Sequence, residues 1–158
     1  MKQEDKELLL KDLCARLPYG VNVEYTSKAI VIATNTEEII TRPLFLYSIN
    51  TLDDMTVSGI DDDGDSWICF FEEIKPYLLP LSSMTGEQKQ YISDRWGINE
   101  DFDFEIDPNW GKYFVDLGDA VGFINWCYAN HFDINGLIPM GIALDATGLN
   151  SYDYLQDL

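Results

Sequence analysis

With 158 residues, 46% of them hydrophobic, the chain has the length of one domain, 1–158, and enough apolar content for a core. Its 28 acidic residues against 10 basic ones, a formal charge of −18, argue against direct binding to nucleic acid or to an anionic membrane, both of which such a charge repels. The imbalance is uneven: residues 1–42 hold seven acids and six bases, and residues 43–158 hold the other 21 acids and four bases.

In chain order, DKELLLKDLCARLP reads as an opening helix. Leu10, Leu13 and Leu17 lie at helical spacing, Leu9 widens the stripe, and Pro18 with Gly20 ends it. The same stretch carries too many acids to be a secretory signal. VNVEY, AIVIAT and PLFLYSI follow as short strands, with Pro43 at a strand start. Successive strands without crossover helices point to an antiparallel sheet or small barrel.

The stretch GIDDDGDSWICFFEE, residues 59–73, is the most chemistry-like in the chain. As a calcium loop with Gly64 at the sixth position, Asp61 and Asp63 fall correctly, but Gly59 and Phe70 occupy the first and last ligand positions. Asp-Gly between two β-rich runs is instead a hairpin signal. With Asp61–Asp65 as the loop, Ile60 faces Ser66 and Gly59 faces Trp67, whose ring covers the bare glycine. Met55, Val57, Cys69 and Phe71 then share a face, and the four aspartates sit at a solvated tip.

Pro76 and Pro80 enforce extended backbone. Thr85 with Gln88 forms a capping box for a short helix through Arg95, stopped by Gly97. LGDAVGFINWCYANHF is the next helix, its apolar side formed by Ala120, Val121, Ile124 and Cys127 or Tyr128. DINGLIPMGIALDA folds back as a glycine-punctuated turn with a short apolar segment. The expected fold is therefore α+β: a small antiparallel sheet or barrel of about five strands, flanked by an N-terminal helix and two later helices.

Sites of chemistry are sparse. His131 is the only histidine; near a helix end it suits capping more than metal binding, although Asp133 stands two residues on. Glu72 and Glu73 are the best-placed pair for two-carboxylate chemistry, which needs one acid with a raised pKa. Cys14, Cys69 and Cys127 form no CxxC pair and read as buried, reduced thiols. No metal or cofactor is implied. In NEDFDFEIDPNW, Asp101, Asp103, Glu105 and Asp107 alternate with Phe102, Phe104 and Ile106. As a strand this lines four carboxylates along one face at about 6.6–6.8 Å, twice the axial rise per phosphate of one DNA strand.

LLLKDLCARLPYGV, IKPYLLPLSSMTGEQ and ANHFDINGLIPMGIALDA resemble segments of an uncharacterised family of small proteins found in phages and mobile elements of gut Bacteroidales bacteria. The resemblance covers roughly a third of the chain and carries no catalytic residue. It implies a mobile-element origin and a bacterial host cytoplasm. Together with the charge, it leads to an expected non-enzymatic role: binding a basic surface of a host or phage protein through Asp101, Asp103, Glu105 and Asp107. The sharpest form is a DNA mimic at a nucleic-acid-binding site. The alternatives are a structural assembly or adaptor protein whose acidity serves solubility, and a metal-dependent enzyme using the Asp61–Asp65 loop.

Overall fold

The computed structural model describes residues 1–31, 33–51, 55–99 and 117–149. Helix α1 (Gln3–Arg16) opens the chain, and a 3-10 turn at Leu17–Tyr19 follows it. Strands β1 (Val21–Val31), β2 (Thr36–Asn50), β3 (Thr56–Ile60), β4 (Ser66–Phe70) and β5 (Ile74–Leu78) come next. Helices α2 (Gly86–Trp96) and α3 (Leu117–Ala129) precede a two-residue strand, β6 (Leu144–Asp145). The fold is α+β, and the sheet is open rather than a barrel. Its order is β4-β3-β2-β1-β5-β6, antiparallel except for the β5–β6 pair.

The two segments VNVEY and AIVIAT are one strand: β1 pairs β2 without interruption from Val21↔Leu46 to Val31↔Thr36. Among the described residues, neither strand has a second neighbour beyond Tyr25 and Arg42, because β5 pairs only Val23–Tyr25 and β3 ends opposite Phe45. The distal part is thus a two-stranded arm with no core beneath it among the described residues, and Ile39 there is 71% exposed. Pro43 lies inside β2, not at its start. It is tolerated because β3 does not reach that point and no other described residue pairs there, so its missing N–H costs no ladder bond among the described residues.

One sheet face is covered. Leu9 and Leu13 of α1, with Leu137, Ile142 and Ala143, close over Val21, Val23, Leu44, Leu46, Val57, Cys69 and Ile74. The buried stripe of α1 runs through Leu9, Asp12, Leu13 and Arg16, one residue out of phase with the leucine spacing. A second cluster joins Met84, Ile92, Ile98, Cys127 and Phe132, with Trp96, Phe123 and Trp126 packed around it. The inward side of α3 is therefore Phe123, Trp126 and Cys127, while Val121 and Ile124 are exposed. Gly122 lets α2 approach closely, since a Cβ there would stand 2.7 Å from Trp96 Nε1.

The capping box forms as read: Thr85 Oγ1 accepts from Gln88 N–H, and Gln88 Oε1 accepts from Thr85 N–H at 2.8 Å. Gly97 ends α2 at φ +63°. At the end of α3, His131 takes the left-handed conformation at φ +61° that glycine usually supplies. Its N–H donates to the Tyr128 carbonyl and that of Phe132 to Cys127, which closes the helix.

Candidate partner-binding surface

The β3–β4 hairpin presents the candidate surface. Gly59↔Trp67 and Ile60↔Ser66 are partners, as the Asp-Gly turn implies, and Gly64 supplies the positive φ of +88°. Three of the loop aspartates, Asp62, Asp63 and Asp65, are exposed. Asp61 is not: it is buried at the inner corner of the hairpin, which corrects the picture of four solvated carboxylates. Its Oδ1 accepts from the N–H groups of Asp63 (3.1 Å) and Asp65 (2.9 Å). Its Oδ2 accepts from Trp67 Nε1 at 2.8 Å and from Arg42 at 3.1 Å.

Burial alone would raise the Asp61 carboxyl, yet the bonds from Trp67, Asp65 and Asp63 and the Arg42 charge hold it below its ordinary value. Both carboxylate oxygens are committed to donors, so Asp61 organises the turn rather than offering its oxygens to a metal ion. Among the described residues no cluster of three or more His, Cys, Asp or Glu side chains has metal-site geometry.

Arg42 stacks over Trp67 at 4.9 Å, and Trp67 tilts against Tyr25 at 5.7 Å. Trp67 thus packs along the inner face. Gly59 is required for a different reason from the one its pairing suggests. A Cβ there would meet Leu44 Cβ and the Phe45 carbonyl oxygen at 3.1 Å, both on β2.

The outer face of the hairpin has no covering layer among the described residues. Cross-strand partners share a face, which places Phe45, Ile60, Ile68 and Phe70 together there. Ile68 is 76% exposed and Phe70 50%, and Tyr47 stands out beside the bulge between Leu46 and Ser48. This apolar strip ends at the three exposed loop carboxylates.

Glu72 and Glu73 lie at the other end and serve structure. Glu72 pairs with Lys6 of α1, whose hydrogen bond holds its carboxyl below the usual range. Glu73 accepts from Ser27 Oγ (2.8 Å) and from Phe70 N–H (3.0 Å). Glu72, lowered rather than raised, is not the protonated acid that a two-carboxylate mechanism needs. His131 is buried; burial first, then the Arg16 charge, push it down to about 4. Asp133 accepts from Leu137 and Ile138 N–H, both at 2.8 Å, and so caps the following turn. Burial raises the Cys69 thiol to about 11 and the Cys127 thiol to about 12, which keeps both protonated, whereas Cys14 is exposed.

The leucine pattern hides a buried charge pair. Arg16 donates to Asp12 at 2.6 and 2.9 Å with both side chains fully buried, and to the Phe132 carbonyl at 2.7 Å. Asn135 adds a bond to Asp12 at 2.9 Å, and the guanidinium lies over Tyr128 at 4.9 Å. The i,i+4 Asp-Arg spacing was visible in the sequence, but its inward direction depends on residues more than a hundred positions away.

Asp101, Asp103, Glu105 and Asp107 lie outside the described residues. No helix among the described residues is long and apolar enough to cross a membrane. Comparison with protein-family models, with curated proteins and with solved structures gives no match.

Proposed function

We propose that this chain is an interaction protein that binds a basic protein surface through the outer face of the β3–β4 hairpin. The observation that carries the reading is one juxtaposition. An uncovered apolar strip, Ile60, Ile68 and Phe70, runs directly into the exposed carboxylates of Asp62, Asp63 and Asp65, on a chain of formal charge −18. Apolar contact supplies affinity at the centre of such a surface, while the charge steers a cationic partner to it. In the mobile-element setting that the sequence resemblance implies, that partner is a host or phage protein. Its sharpest form is a nucleic-acid-binding protein whose groove the acids occupy.

The test is affinity for a captured basic partner at about 50 and about 300 mM salt, a range over which screening shortens markedly. Duplex DNA is then added as competitor. Binding that weakens with salt, yields to DNA and is lost when Ile68 is replaced by Ser supports the reading. A complex insensitive to salt, or indifferent to Ile68, refutes it.

A further inference from the structure

The cross-strand hydrogen bonds at the two ends of the hairpin set its phase. Asp61 N–H donates to the Asp65 carbonyl at 3.0 Å, and Phe71 N–H to the Met55 carbonyl at 3.4 Å. Along an antiparallel pair, hydrogen-bonded and non-hydrogen-bonded partners alternate. In the observed register, 59/67 and 57/69 are then the bonded pairs between those ends. The N–H and C=O groups of Ser66, Ile68 and Phe70 must therefore point away from β3. β4 is the outermost strand among the described residues, so they point off the edge of the sheet.

The bond from Phe70 N–H to Glu73, three residues on, agrees with this phase: that outward donor is met by a local carboxylate. The backbone groups of Ser66 and Ile68 have no partner among the described residues. Edges of this kind are ordinarily blunted by proline, by lysine or by a covering loop. Here the outward residues are Ser66, Ile68 and Phe70, two of them large, apolar and at least half exposed.

We infer that the β4 edge accepts an extended segment of a basic partner as an added strand, an inference that rests on the basic-partner reading above. Main-chain bonds to Ser66, Ile68 and the Phe70 carbonyl would supply the pairing, and side chains packed against Ile68 and Phe70 the specificity. Charge decides the occupant. A second copy paired antiparallel about Ile68 would bring its Glu73 opposite Asp63 of the first, setting like charges against one another. A strand with an apolar centre and Lys or Arg at both ends meets the same carboxylates with opposite charge.

The probe is a nine-residue peptide, KRKVTVKRK, titrated into the full chain and followed by amide-resolved NMR and hydrogen exchange. The comparison peptide has the same sequence, N-methylated at the two valines and the threonine, so charge and side chains stay while the pairing donors are lost. Expected are slowed exchange at the Ser66 and Ile68 amides and at least about tenfold weaker binding of the methylated peptide. Ile68→Pro removes no bond to β3, because that N–H points outward, and should weaken the parent peptide by a similar factor. Since the methylated peptide tests the unaltered protein, the outcome does not depend on how that variant folds. Equal binding of both peptides without protection at Ser66 and Ile68 overturns strand addition and leaves the basic-partner reading standing. No binding of either peptide, together with no binding of polylysine at low salt, overturns both.

Discussion

Replacing Arg16 by methionine tests whether the buried pair anchors α1 to the end of α3. The substitution removes three hydrogen bonds, two to Asp12 and one to the Phe132 carbonyl, and leaves Asp12 with the Asn135 bond. Both members of the pair are fully buried, so a stranded carboxylate cannot recover its hydration. Breaking a buried pair from one side costs about 3–5 kcal/mol. That is a large share of the roughly 5–15 kcal/mol by which a domain is stable. At this chain length it lowers Tm by about 6–20 °C. Asp12→Leu should cost a similar amount, because one guanidinium nitrogen of Arg16 already has no partner among the described residues. The double variant removes both charges and costs the Phe132 carbonyl and the Asn135 amide one bond each, while Ile134 N–H and the Tyr128 hydroxyl still pair with them, for about 1–3 kcal/mol. It should be more stable than either single variant. Urea unfolding of the four proteins, with m checked for constancy, gives the coupling directly. Single variants costing under about 1 kcal/mol, or a double equal to the sum of the singles, would refute the anchoring role.

Asp61→Ala should lower Tm while the triple variant Asp62→Asn, Asp63→Asn, Asp65→Asn does not. Because the Asp61 carboxyl is held below its ordinary 3.8, its contribution is full above that pH and lost as pH falls through the lowered value, so thermal scans of Asp61→Ala and parent should converge in acid. His131, held at about 4 against an ordinary 6.5, makes the unfolded chain bind a proton the folded one refuses between those values. Stability should fall by roughly 3 kcal/mol as pH drops across that window, and His131→Asn should flatten the slope in pH-dependent urea melts. Gly122→Ala should cost about 1–3 kcal/mol by forcing Trp96 off α3, a loss that near-ultraviolet circular dichroism and urea melts would register. The triple loop variant, relieved of like charges beside the β4 edge, should self-associate in sedimentation velocity where the parent does not, and Ile68→Lys should reverse it.

What the sequence reveals here follows how local each determinant is. The hairpin register, the Thr85–Gln88 box and the Gly97 stop are set within a few residues, and they form as their spacing implies. The inward turn of Asp61 needs Arg42 and Trp67 on other strands, and aspartate's habit of accepting turn N–H groups is shared by all four loop aspartates, so the sequence does not single it out. The single long β1 was hidden because its Thr26–Lys28 middle leaves the core and continues as an arm, where alternation no longer reports burial. The inward face of α3 was misjudged because the helix is apolar all round. Its partners Trp96 and Ile92, on α2, decide which side is covered.

The uneven charge along the chain becomes an uneven charge across the hairpin. Two cations from the nearly neutral first 42 residues reach into the acidic remainder. Arg42 meets Asp61 at the inner corner of the turn, and Lys6 meets Glu72 at the base of β4. Both brace the hairpin at its ends and neutralise carboxylates that serve structure. Asp62, Asp63 and Asp65 form no ion pair among the described residues, and they border the open edge and the apolar strip. The basic residues nearest the hairpin are thus spent on holding it, and the carboxylates left over face outward. Next to exposed Ile68, the negative charge of these carboxylates is offset by no cation among the described residues. On the proposed reading, that arrangement disfavours a second copy of this chain and favours a basic strand.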